Sequence, residues 1–108
     1  MTYQDITRMI ENIGLPFAYD TFPEKKVPKP PYIVFNLPQS NDFGADNINY
    51  VSIDTLNIEL YTNKKDFSME SNVETVLNQY GLFYEKTETY IRSENLYQIS
   101  YVCEVITE

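Results

Sequence analysis

Two pairs of acidic residues stand close enough in sequence for two-carboxylate chemistry, Asp54 with Glu59 and Glu85 with Glu88. A glycosidase-type mechanism would use one carboxyl as proton donor and the other as nucleophile or base at a set separation. Both pairs fall in stretches that read as strands, where an acid on the outer face ordinarily meets solvent. Asp42, Asp46 and Asn47 around Gly44 offer the hard oxygen ligands that calcium takes. Their spacing does not match an EF-hand, and no Glu closes the loop at its twelfth position. Tyr84, Tyr90, Tyr97 and Tyr101 could stack nucleobases, but the electrostatic half of a single-strand platform is missing among them. Strand tyrosines more ordinarily bridge core and surface or sit in protein interfaces. Cys103 reads as a small buried hydrophobe.

The chain contains no histidine and one cysteine. Histidine-based metal sites, Ser-His-Asp and Cys-His nucleophile systems and multi-thiolate scaffolds are therefore excluded, and no internal disulfide can form. With only Gly14, Gly44 and Gly81, there is no phosphate-binding glycine loop. No residue qualifies as catalytic, cofactor-binding or metal-ligating, so the expectation is a protein without enzymatic turnover and without a cofactor.

Sixteen Asp and Glu against eight Lys and Arg give a formal charge of −8 over 108 residues. An acidic balance opposes coating of nucleic acid. The distribution is uneven: Lys25, Lys26 and Lys29 crowd one proline-rich stretch, whereas Pro30 to Asn63 holds Asp42, Asp46, Asp54 and Glu59 and no base. Neighbouring stretches of opposite sign could mate head to tail, because a heterologous contact needs two different complementary patches. Lys25, Lys26 and Lys29 on one side, and Asp42, Phe43, Asp46, Asn47 and Tyr50 on the other, are the candidate interface residues. Both stretches could equally be solvated loops.

These residues must be positioned by one domain, residues 1–108, with 43% hydrophobic and 15% aromatic residues to build its core. Ile6, Met9, Ile10 and Ile13 recur at helical spacing over residues 2–13, with Thr2 as N-cap, Asp5 in the first turn and Gly14 as stop. A short strand is expected over Phe17 to Phe22. Four of the six prolines then break Pro23 to Pro31, which reads as an extended loop joining that strand to Tyr32–Leu37 in a hairpin-like pair, ended by Pro38. Gln39 to Asn49 has the composition of a polar loop.

A long strand follows over Tyr50–Thr62. Its apolar parity changes between Val51/Ile53 and Leu56/Ile58/Leu60, predicting either a bulge near Asp54-Thr55 or burial of opposite faces. Met69, Val73, Val76, Leu77 and Tyr80 mark a second helix, capped by Ser68 or Ser71 and stopped at Gly81-Leu82; Ser71 to Glu74 has capping-box spacing. Phe83–Ile91 and Leu96–Ile106 read as an antiparallel pair. The fold class is α+β, order α-β-β-β-α-β-β, a mostly antiparallel sheet with two helices packed on one face.

This layout resembles the tail terminator, or tail-to-head joining (tail completion), proteins of long-tailed bacteriophages and prophages. The resemblance runs through nearly the whole chain: the helix ending in Gly14-Leu15-Pro16, the Phe17–Phe22 strand, the proline-broken stretch into Pro31-Tyr32-Ile33-Val34-Phe35, the Tyr50–Thr62 strand, the second helix and the closing hairpin. It implies a homo-oligomeric ring, commonly a hexamer, that caps the tail tube, ends its polymerisation and presents a face to the head connector. The implied partners are further copies of the chain, the tail tube protein and the head connector protein, at the head-tail interface of a virion after assembly in the host cytoplasm. An acidic lumen would let DNA pass without sticking. The resemblance carries no individual functional residues.

The rival reading is an acidic DNA mimic or inhibitor that binds a basic host protein, which would gather its carboxylates on one exposed face. Neither reading involves a membrane. The N-terminus lacks the basic region and apolar run of a secretory signal, and no stretch approaches the roughly 20 apolar residues of a span, so a soluble chain from a reducing cytosol is expected.

Overall fold

The computed structural model describes residues 1–43 and 51–107, with side chains described outside positions 41–43 and 51. Helix α1 spans Tyr3–Glu11. The Thr2 hydroxyl accepts from Asp5 N–H at 3.1 Å while the Asp5 carboxylate accepts from Thr2 N–H at 2.8 Å, a reciprocal capping box. Gly14, at φ 84°, takes the left-handed turn that leads the chain out of the helix.

Strand β1 is Phe17–Tyr19, β2 is Tyr32–Phe43, β3 is Val51–Thr62, helix α2 is Phe67–Gln79, β4 is Tyr84–Ile91 and β5 is Leu96–Thr107. They form one five-stranded sheet in the order β1-β2-β3-β5-β4. All pairings are antiparallel except the first, so the α-β-β-β-α-β-β order and the mostly antiparallel α+β class hold.

Three expectations need correction. β1 runs parallel to β2, Phe17 opposite Ile33 and Tyr19 opposite Phe35, so these strands are not a hairpin. A parallel neighbour needs a crossover of about a dozen residues, and the proline-rich connection is long enough to supply one. β2 also does not stop at Pro38. It continues to Phe43, with Leu37 and Pro38 together opposing Leu56 between the pairs Asn36↔Asn57 and Gln39↔Thr55. The bulge thus lies on β2, whereas β3 pairs with β5 without a shift from Ser52↔Thr107 to Thr62↔Tyr97. Pro38 is tolerated because β1 covers only residues 33–35 of β2, leaving the rest of that strand on the sheet edge.

The third correction concerns α2, which starts earlier than either serine would have it. Asp66 is its N-cap, accepting from Met69 N–H at 3.0 Å. At the other end Leu82 N–H reaches Leu77 C=O and Gly81 N–H reaches Asn78 C=O, a Schellman closure around Gly81 at φ 70°.

One face of the sheet carries the core. Ile33, Phe35, Leu56, Ile58, Leu60, Ile99, Tyr101 and Val105 meet Ile6, Met9 and Ile10 of α1 and Val73, Val76 and Leu77 of α2. Both helices therefore pack on the same face. Two asparagines tie them together: Asn72 Nδ2 donates to Ile13 C=O and Asn12 Nδ2 to the Tyr80 hydroxyl, each at 3.0 Å. Among the described residues no helix is long and apolar enough to cross a membrane.

Candidate functional site

Strand parity separates the carboxylates that the sequence places near one another. Asp54 lies on the core-facing side of β3, in register with Val105, and Glu59 on the opposite, helix-free side, in register with Ser100. Glu85 and Glu88 are split between faces of β4 in the same way. Neither pair can flank one bond. Asp54 instead accepts from Ser52 and Thr107 hydroxyls at 2.7 and 2.9 Å, and the hydroxyls of Ser40, Ser52 and Thr107 hold its carboxyl below the usual range. Glu59 accepts from Gln98 Nε2 and Tyr61 Oη, each at 3.2 Å. Burial and the adjacent Glu59 push the Tyr61 phenol up to about 12 against the opposing hydrogen bond from Gln98.

Of the hairpin tyrosines, Tyr90 is exposed and lies 4.9 Å from Tyr97 between ring centroids, whereas Tyr101 has no face free for stacking. Tyr101 is fully buried, stands edge-on to Tyr84 and donates to Glu74 Oε2 at 2.8 Å. Burial and the Glu74 carboxylate raise its phenol. Cys103 is buried as expected, and that burial lifts its thiol to about 11.

The sequence reading missed an ion cluster between α2 and β4. Tyr84, Lys86, Glu88 and Tyr90 occupy the core-facing register of β4, which brings Lys86 beneath α2. Glu70, 2% exposed, lies 2.7 Å from Lys65 Nζ and 2.9 Å from Lys86 Nζ. Lys86 also reaches Glu74 at 2.8 Å, and Lys65 pairs with Glu88. Burial alone would raise Glu70 and Glu74; the lysines, with Tyr101 on Glu74, outweigh it and lower both carboxyls. The carboxylates in turn raise Lys65 and Lys86. This cluster sets three carboxylates on two ammonium groups and holds α2 against an edge strand.

Charge free to meet a partner lies elsewhere. Lys25, Lys26 and Lys29 are all exposed in the β1–β2 connection, beside Val27, which is 55% exposed. Lys26 N–H donates to Pro23 C=O in a tight turn, with Lys25 at φ 68°. None of the three forms an ion pair among the described residues. Val27 and Pro28 line a shallow depression with Asn63 and Glu94, which places the basic connection at the end of the sheet where β3 finishes and β5 begins.

Further along β5, an open groove of about 470 Å³ runs between the α2–β4 turn and residues 102–104 of that strand. Leu82, Phe83 and Val102 supply apolar surface there and Glu85 and Glu104 supply charge. Phe83 is 94% exposed. Of the acidic candidate set, Asp42 and Phe43 belong to β2, opposite Ser52 and Val51, and not to a loop. Asp46, Asn47 and Tyr50 lie outside the described residues, as does most of the expected loop and Gly44 of the calcium-like spacing.

A chain of the "Virion of native gene transfer agent (GTA) particle" superposes on this one with a TM-score of 0.60, covering 96% of this chain and 89% of that chain at 13% identity. The two chains share one fold. No protein-family model and no curated protein sequence matches this chain. The basic connection and the acid-flanked groove are carried on that shared architecture as surface features of this sequence.

Proposed function

We propose that the protein is a structural subunit of a phage-like virion, acting by assembly and without enzymatic turnover. Its specific role in this reading is that of a tail terminator: a homo-oligomeric ring, of hexameric order, that caps the tail tube, ends its polymerisation and joins it to the head connector. The observation that carries the reading is the end-to-end superposition on a virion chain, which leaves little of either chain unmatched. Support also comes from the exposed Lys25–Lys29 connection, whose cations have no described partner within the subunit and suit contact between subunits.

The disposition of seven of the sixteen acids counts against the DNA-mimic alternative. Glu70, Glu74 and Glu88 are paired with lysines, Asp5 and Asp66 cap helices, and Asp54 and Glu59 are held by hydroxyl and amide donors on opposite faces. These seven carboxylates do not assemble into one phosphate-like row.

Light scattering after size-exclusion chromatography, across protein concentrations and with purified tail tube protein added, tests the proposal. A closed oligomer, alone or only on the tube, is the expected result. A strict monomer that ignores the tube protein would overturn it.

A further inference from the structure

We infer that the groove between the α2–β4 turn and β5 is the docking site for the Lys25–Lys29 connection of a second copy of this chain. The inference rests on the ring reading and names the contact that would close the ring.

The two surfaces match in composition. The connection presents three exposed ammonium groups around exposed Val27 and half-buried Pro28. The groove presents Phe83 and Val102, both exposed, between the exposed carboxylates of Glu85 and Glu104. An apolar centre rimmed by opposite charge on the two partners is the arrangement that gives register and orientation to an interface. A 94% exposed Phe83 is also costly to leave in water, whereas burying it against Val27 and Pro28 removes apolar surface from both sides.

The contact cannot be made within one subunit. The connection sits beside Leu96, at the start of β5, and the groove beside Cys103, seven residues along the same strand. At about 3.3 Å per residue the two are about 23 Å apart. Two different surfaces set that far apart on one subunit make a heterologous contact, in which each copy gives its connection to one neighbour and its groove to the other. Such contacts close into a ring when the rotation between copies allows it.

Charge reversal tests this directly. Lys25→Glu/Lys26→Glu/Lys29→Glu, and separately Glu85→Lys/Glu104→Lys, alter only exposed side chains, so circular dichroism should show the native fold. Each variant should assemble only at a protein concentration on the order of tenfold higher than the wild type, a difference that narrows as salt rises. An equimolar mixture of the two variants places reversed connection against reversed groove and should form the mixed contact that neither forms alone. Phe83→Ser should weaken assembly at all salt concentrations.

Wild-type assembly with both reversed variants unaffected would overturn the docking site and leave the ring reading standing. A wild type that stays monomeric with and without tail tube protein would overturn both.

Discussion

Glu70 and Glu74, one turn apart on α2, share a single ammonium: Lys86 Nζ stands 2.9 Å from an oxygen of the first and 2.8 Å from an oxygen of the second. The lysine comes from the edge strand, so the pair clamps helix to sheet where apolar packing gives way to charge. Removing one partner is worse than removing both, because an unpaired buried carboxylate keeps its desolvation cost. Lys86→Met should destabilise the protein by about 2–3 kcal/mol, below the full value for a buried pair because Lys86 is partly exposed and Lys65 still reaches Glu70. The double variant Glu70→Leu/Lys86→Met should lose less than Lys86→Met alone. Urea unfolding of the four-member cycle checks both statements.

The same cluster sets a pH response. The Glu70 and Glu74 carboxyls are lowered from 4.5 in the fold, so their contribution is complete above that value and is lost as pH falls through the lowered ones. Lys65 and Lys86 are raised from 10.5, so theirs is complete below that value and lost only as pH rises through the raised ones. Stability should therefore be flat near neutrality and decline on the acid side below about pH 4.5. Urea midpoints across that range should fall less steeply for the Glu70→Leu/Lys86→Met variant than for the wild type.

Helix capping gives a contrast between neighbours. Asp66→Ala removes the acceptor for Met69 N–H and should cost about 1 kcal/mol. Ser71 is exposed within α2, and Ser71→Ala should change stability by less than about 0.5 kcal/mol. A larger loss at Ser71 than at Asp66 in thermal unfolding would contradict the observed helix start.

Leu77 is fully buried and Val76 nearly so, both beneath α2 against the sheet. Leu77→Asp should abolish the folded state, since an unpaired carboxylate in that core costs a large share of the roughly 5–15 kcal/mol that holds a domain together. Val76→Asp should act in the same direction. Dispersion of amide proton shifts distinguishes a folded from a collapsed chain, and Phe83→Ser, at an exposed position, is the folded control.

The helices were legible because their signals are local: apolar residues at three- and four-residue spacing, Thr2 with Asp5 at one end, glycines at the other. The strands were legible as elements but not in their pairing. A proline-rich stretch joining two strands gives the same composition whether the second strand turns back or crosses over, and only its length favoured the crossover to β2. Pro38 looked like a strand end because proline cannot donate to a ladder, yet on an edge with a bulge that donor is not required. The Lys65–Glu70–Lys86–Glu74 cluster joins residues from three segments. Its one signal in the sequence was parity, since Lys86 alternates in step with Tyr84 and Tyr90, the residues facing the core. The basic half of the candidate surface was visible as a run of lysines. Its counterpart at Phe83, Glu85, Val102 and Glu104 was not, because those residues meet only where β4 begins beside the middle of β5.

The place of β5 in the sheet has a consequence for biosynthesis. It follows every other described strand in sequence yet lies between β3 and β4, pairing with both. While the polypeptide is still leaving the ribosome, β3 has an open ladder on one side and β4 has no described strand partner. The core surface of Leu56, Ile58 and Leu60 is completed only when Ile99, Tyr101 and Val105 have been made. Completion of this sheet thus waits until β5 has been made, and a nascent chain interrupted before β5 would expose a β3 edge ready to join other strands.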